Sequence, residues 1–139
     1  MFRFLTLTNT EKENCLPRKN NRKIGDEKER FVCEWLERQG YRILERNFRC
    51  RIGEIDIVAR EGGYLVFLEV KYRGGAGCGD PSEAVDWRKQ RTISRVALFY
   101  LLRHGYGTDI PVRFDVVTAS GENYFNIALI RNAFEFCGR

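Results

Sequence analysis

The chain has 139 residues, 43% hydrophobic and 31% charged, which suits one globular domain built on a single core. No apolar run nears the roughly 18 residues of a membrane span, so no membrane partner is expected. Five cysteines without a C-x-x-C pair argue against a disulfide framework and for a reducing, cytoplasmic setting, and a lone histidine leaves zinc without a ligand set.

The net charge of +5 is unevenly spread. Residues 1–24 hold Arg3, Lys12, Arg18, Lys19, Arg22 and Lys23 against Glu11 and Glu13. The rest of the chain, with 18 basic and 17 acidic residues, is nearly neutral. Residues 1–24 read as a basic, disordered leader, either a solvated arm or one that binds phosphates. Met1 to Thr8 is too short and polar for a signal sequence. Residues 25–139 read as one domain.

Gly25-Asp26 opens a predicted helix that runs to about Gln39, with Asp26 as N-cap and Gly40 as the stop. Val32, Cys33 and Leu36 share one face by the 3–4 spacing, and Glu29 falls on the same stripe. Glu29 has two readings: service to the helix dipole, or an acid aimed inward. A weak strand is predicted over 41–48, and stronger ones near 54–60 and 64–72, joined by Gly62-Gly63 as a hairpin. Gly74, Gly75, Gly77 and Gly79 make the next segment a loop, read as a flexible connection or as a lip around a substrate.

Pro81-Ser82-Glu83 starts a predicted second helix that ends near Leu102, with Ile93, Val96, Ala97, Tyr100 and Leu101 as its apolar face. Arg88, Arg91 and Arg95 form an opposite stripe, read as a solvated surface. Lys89 lies about 40° from Ile93 on the helical wheel, so it either snorkels or reaches toward the hairpin. His104 reads as a C-terminal cap. A strand follows over 112–117, then a short one over 124–127, then a closing amphipathic helix over 129–136. The order α-β-β-β-α-β predicts a mixed α/β (α+β) domain, with helices against a central sheet.

Function is signalled by charges inside the hairpin. Asp56 sits at the centre of Gly53-Glu54-Ile55-Asp56-Ile57-Val58-Ala59. Glu69 and Lys71 interrupt the apolar run from Leu65 to Tyr72 and share one face of it. Burying these groups is costly unless they pair or hold a metal. An ion pair within the hairpin is one reading. The other is a Mg²⁺ (or Mn²⁺) site made by Asp56, Glu69 and the Val70 carbonyl, with Glu29 as an outer ligand and Lys71 beside the bound water.

These residues also resemble a family. Gly53 to Val58, Val66-Phe67-Leu68-Glu69-Val70-Lys71-Tyr72-Arg73 and Arg113-Phe114-Asp115-Val116-Val117 look like the YraN-like predicted endonucleases of the restriction-endonuclease-like PD-(D/E)xK superfamily. The likeness covers about residues 25–136, with Glu29 and Trp35-Leu36, Lys89-Gln90 and Asn132-Ala133-Phe134 also matching. It implies an αβββαβ core, metal ligands at Asp56 and Glu69, and a catalytic lysine at Lys71. It implies Glu29 as an acid completing the site, and nucleic-acid contacts at Arg73, Lys89 and Gln90. Ile55 stands where the superfamily name has proline, which removes no ligand. The expected activity is Mg-dependent cleavage of structured or damaged nucleic acid, DNA ahead of RNA, with a homodimer as one arrangement. The alternatives are a non-catalytic nucleic-acid-binding protein with a nuclease-like fold, and an interaction protein whose hairpin charges are structural.

Overall fold

A computed structural model describes residues 16–73, 85–107, 109–121 and 126–138. Its elements are α1 (Leu16–Arg38), β1 (Arg42–Arg49), β2 (Glu54–Glu61), β3 (Tyr64–Arg73), α2 (Trp87–Arg103), β4 (Val112–Ser120) and β5 (Asn126–Phe134). The strands form one sheet in the order β1-β2-β3-β4-β5. β3 and β4 run parallel, and every other neighbouring pair is antiparallel. A parallel pair needs a crossover, and α2 lies within that connection. The protein is therefore a single α/β domain with a mixed five-stranded sheet.

The sheet separates two apolar layers. Val32, Cys33 and Leu36 of α1 pack on Ile43, Ile57, Ala59, Val66, Leu68 and Val117. Ile93, Val96, Ala97 and Tyr100 of α2 pack on Val58, Leu65, Phe67, Phe114 and Val116. Both faces of β3 are covered, which explains its unbroken apolar run. The two-residue loop at Gly62-Gly63 closes the hairpin, and Gly62 takes a φ of 58°, which suits a glycine. Gly53 lets α2 approach, since a Cβ there would stand 2.7 Å from the Thr92 methyl.

Three sequence expectations change. α1 begins at Leu16, not near Gly25, so Asp26 lies inside the helix and caps nothing at its start. The segment before Gly25 is rich in lysine and arginine, both good helix formers, and Pro17 falls in the first turn where proline is tolerated. The helix stops at Gly40 as expected, with a φ of 98° and a Tyr41 N–H donating back to the Leu36 carbonyl. α2 begins at Trp87, where the Asp86 carboxylate accepts the Lys89 N–H at 2.9 Å and caps the helix; Pro81-Ser82-Glu83, where its start was expected, lie outside the described residues. The glycine-rich segment after Arg73 lies outside the described residues, as does most of the leader.

The third change is at the end of the chain. The expected short strand and closing helix are one strand, β5. Phe114 pairs with Phe134 and Val116 with Ile130, so β5 spends four residues where β4 spends two. Asn132 sits in this bulge with a φ of 54°. The bulge spaces Leu129, Ile130, Ala133 and Phe134 by three and four residues, imitating a helix.

Asp115 of β4 is fully buried inside a closed network. Its carboxylate accepts Tyr41 Oη at 2.6 Å, Arg113 Nε at 2.9 Å and Nη2 at 2.8 Å, and the Asn132 N–H at 2.9 Å. Arg113 also donates to Glu61 at 2.7 Å. Burial holds the Tyr41 phenol well above its usual range, with its bond to Asp115 reinforcing this, so Tyr41 stays a donor.

Candidate functional site

Leu65 and Phe67 belong to the α2 layer, so strand alternation carries Glu69 and Lys71 to that side. Glu69 is only 7% exposed. From α2, Lys89 places its Nζ 3.3 Å from Glu69 Oε2. The lysine does reach the hairpin, and the cap at Asp86 fixes the helix turn that carries it.

Asp56 lies where the hairpin ends its ladder. Ile57 and Leu68 are the last registered β2–β3 pair, and past them the Val70 N–H donates to Asp56 Oδ2 at 2.8 Å. The β1–β2 pair changes face at the same level. Ile57 belongs to the α1 layer and its partner Arg46 reaches α1, yet Phe48 and Ile55, two residues along, belong to the α2 layer. The crossing falls at Asn47 and Asp56, and Asn47 takes a left-handed φ of 55°, which asparagine tolerates. Asp56 therefore lies where β2 passes from one layer to the other.

Asp56 and Glu69 are neighbouring acids, near enough for the Asp56 carboxylate to act on the Glu69 carboxyl. Burial pushes the Glu69 carboxyl up to about 8, and Asp56 pushes the same way. Lys89 and, less strongly, Lys71 pull it back down. The balance is unfavourable to an ionised Glu69, so the pair carries a deficit of positive charge. Two hard oxygen donors with that deficit suit a dication such as Mg²⁺.

Glu29 behaves differently. Its Oε2 lies 3.0 Å from Arg46 Nη1 and 3.5 Å from Asn47 Nδ2. With Cys33, Arg46, Asn47, Asp56, Val70 and Tyr72 it lines a small cavity of about 60 Å³ on the α1 side. Glu29 and Asp56 thus share a cavity, but among the described residues no three His, Cys, Asp or Glu side chains converge on one point. Burial drives the Cys33 thiol up to about 12, so it is no nucleophile there. Arg46 and Asn47 escaped the sequence reading. Glu45-Arg46-Asn47 gave an alternation signal too weak to show which side chain faces α1.

The remaining candidates lie at the margins. Gln90 uses its side chain on the Val85 carbonyl at 3.0 Å, and Arg73 ends β3 half-buried. His104 caps α2 as expected, with Nδ1 3.0 Å from the Tyr100 carbonyl and its ring stacked on Tyr100. Cys33, Cys50 and Cys137 are free thiols, and Cys15 and Cys78 lie outside the described residues. Among the described residues, no helix is long and apolar enough to cross a membrane.

The sequence carrying this geometry matches the model of the uncharacterised protein family UPF0102 over residues 28–119. The chain belongs to UPF0102. Among its relatives is a UPF0102 protein of Lachnoclostridium phytofermentans, 51% identical over 119 residues that cover 85% of this chain and 98% of that protein. A UPF0102 protein of Desulforapulum autotrophicum is 53% identical over 102 residues, covering 73% of this chain and 84% of the relative. One from Geobacter sulfurreducens is 49% identical over 118 residues, covering 84% and 91%. The UPF0102 match spans the stretch from just before Glu29 to the end of β4, and so includes Asp56, Glu69, Lys71, Lys89 and Asp115.

Proposed function

We propose that this protein is a cytoplasmic, Mg²⁺-dependent endonuclease that hydrolyses phosphodiester bonds of structured or damaged nucleic acid, DNA ahead of RNA. The observation that carries the reading is the closeness of two acids at the end of a hairpin: Asp56, fixed by the Val70 N–H, and the buried Glu69, whose carboxyl is pushed up to about 8 by burial and by Asp56. A fold spends stability on such an arrangement where a cation is to be bound. The YraN-like, PD-(D/E)xK resemblance supports it further.

Asp56, Glu69 and the Val70 carbonyl would hold the ion, with Glu29 outside them. When bound, Mg²⁺ supplies a Lewis acid for a phosphate oxygen and a more acidic water. The chain's own groups have separate tasks. The Val70 N–H fixes Asp56 by its 2.8 Å bond, so one oxygen needs no reorganisation. Lys71, on the face of Glu69, orients the attacking water and offsets charge growing at the phosphorus. Lys89 holds Glu69 from α2 and, being partly exposed, can turn to a phosphate. Arg73, at the end of β3, and Gln90, next to Lys89 on α2, would be further contacts.

The test is a panel of single-stranded, duplex and branched DNA and RNA incubated with Mg²⁺ or Mn²⁺. Cutting by wild type, with Lys71→Ala binding but not cutting, is the expected result. Binding that survives EDTA with no cutting under either metal defeats it. That outcome supports the second reading, a non-catalytic nucleic-acid-binding protein. One observation favours that reading: Glu29 is tied to Arg46 and does not complete a three-acid cluster.

A further inference from the structure

Arg46 and Asn47 have no task in the chemistry proposed above. They are consecutive residues of β1, and strand alternation would send them to opposite faces. Yet both turn to one oxygen of Glu29. Arg46 Nη1 stands 3.0 Å from Glu29 Oε2, and Asn47 Nδ2 stands 3.5 Å from it. The left-handed φ of 55° at Asn47 marks the break in alternation that allows this. The ion pair is also inverted relative to one on a surface. The Arg46 side chain is 8% exposed and that of Glu29 is 35% exposed, so the guanidinium is the deeper partner. A guanidinium stays protonated in proteins, which makes Arg46 a permanent cation inside the fold.

The cavity around that cation links it to the hairpin. Glu29, Arg46, Asn47, Asp56, Val70 and Tyr72 line the same space of about 60 Å³, which has room for a few waters. The Tyr72 phenol registers the charges around it. Burial raises it above its usual range, Glu29, Cys33 and Asp56 push the same way, and Arg46 opposes them. On the α2 side the cation that touches an acid is Lys89, 36% exposed and on a flexible stem, so it can turn away when a metal ion arrives. On the α1 side the cation is Arg46, nearly buried and always charged, so it cannot. A dication entering the α1 cavity would meet a fixed positive charge and a Glu29 oxygen already engaged.

We propose that Arg46 is a built-in counter-cation for Glu29, so that the hairpin acids take a single dication and Glu29 is a positioning residue, not a metal ligand. The inference rests on the metal reading of Asp56 and Glu69 and narrows it. Arg46 does on the α1 side what a second metal ion would otherwise do: it neutralises Glu29 next to Asp56.

Mn²⁺ binding to the full-length protein without nucleic acid, followed by loss of the free-ion EPR signal, tests this without any turnover. Wild type is expected to take one Mn²⁺ per chain. Arg46→Gln leaves the Glu29 charge open to the cavity and is expected to take a second ion. Arg46→Lys keeps the positive charge and is expected to stay at one. Glu29→Gln leaves the guanidinium unopposed in the cavity it shares with Asp56, and is expected to weaken the single Mn²⁺ about 10- to 100-fold. Combining Glu29→Gln with Arg46→Gln removes both charges and is expected to restore wild-type affinity and stoichiometry. A lost metal ligand would not be restored in that way, so an unrestored double variant overturns the proposal. Two ions in wild type, or one in folded Arg46→Gln, also overturns it; all three outcomes spare the metal reading. No Mn²⁺ bound by wild type defeats the metal reading, and this inference with it. Melting temperatures identify the folded variants. If Arg46→Gln does not fold, the double variant, which buries no unpaired charge, decides alone.

Discussion

Two buried acids in neighbouring strands meet opposite fates. Asp115 receives four hydrogen bonds, two of them from a guanidinium that also pairs with Glu61. Glu69 faces another carboxylate, and the charges of Lys89 and Lys71 relieve it only in part. Both sit in sheet positions that would hold apolar side chains at less cost. The first cluster is closed, with its lone pairs answered from Tyr41 just before β1, from β4 and from β5. The second is left in electrostatic debit. A closed cluster is part of what holds the strands in register, and the unbalanced one is where the proposal above puts a cation.

Breaking the closed cluster is expected to cost the most. Asp115→Ala leaves the Arg113 guanidinium nearly buried with Glu61 as its remaining carboxylate partner, and should lower stability by about 3–5 kcal/mol in urea unfolding. A loss below about 1 kcal/mol would erase the contrast between the clusters. Lys71→Ala probes the open cluster through activity. The cleavage rate should fall about 10²- to 10³-fold while the melting temperature stays within a few degrees of wild type.

Glu69→Gln is the sharper test, because its sign is opposite to that of Asp115→Ala. A carboxyl raised to about 8 in the fold and near 4.5 when unfolded binds its proton more tightly in the native state. The native protein therefore loses stability as pH rises from about 4.5 to about 8, and the loss levels off above that. Glu69→Gln should remove this loss. It gains little near pH 4.5, and about 1–3 kcal/mol at pH 8 without metal, read by thermal unfolding. Millimolar Mg²⁺ should raise the melting temperature of wild type and leave that of Glu69→Gln unchanged. A destabilised Glu69→Gln at pH 8 would show that the pair is structural. The smallest effect is expected from Lys89→Met. Lys89 is the larger of the two charges pulling Glu69 down, so its loss should move the Glu69 titration, followed by carboxyl-carbon NMR, further up. No movement would mean that the 3.3 Å contact does little in solution.

Much of the architecture was legible in the chain because it rests on short-range periodicity. Val32, Cys33 and Leu36, and Ile93, Val96, Ala97 and Tyr100, were readable as helix faces and are buried as such. Leu65 to Leu68 read as a strand, and the structure covers them on both sides. β5 was misread because its bulge at Asn132 converts a period of two into a spacing of three and four, and only pairing with β4 distinguishes the two. The starts of both helices shifted because propensity and capping compete over several residues. Asp26 and Asp86 look alike in sequence, but only Asp86 has a free helix start to cap.

The site divides along the same line. Asp56, Glu69 and Lys71 stand out by themselves, since charges in apolar strands break a pattern that anyone can count. Alternation alone puts Glu69 and Lys71 on one face. Which partners those charges meet was settled by contacts between residues far apart in the chain. Glu29 turned to Arg46, Asp115 to Tyr41 and Arg113, and Lys89 to Glu69. A linear pattern records the spacing of neighbours along one element. It does not record the twist at Asn47 and Asp56, which sets the height and direction from which a carboxylate meets another strand, and electrostatic energy depends on those distances.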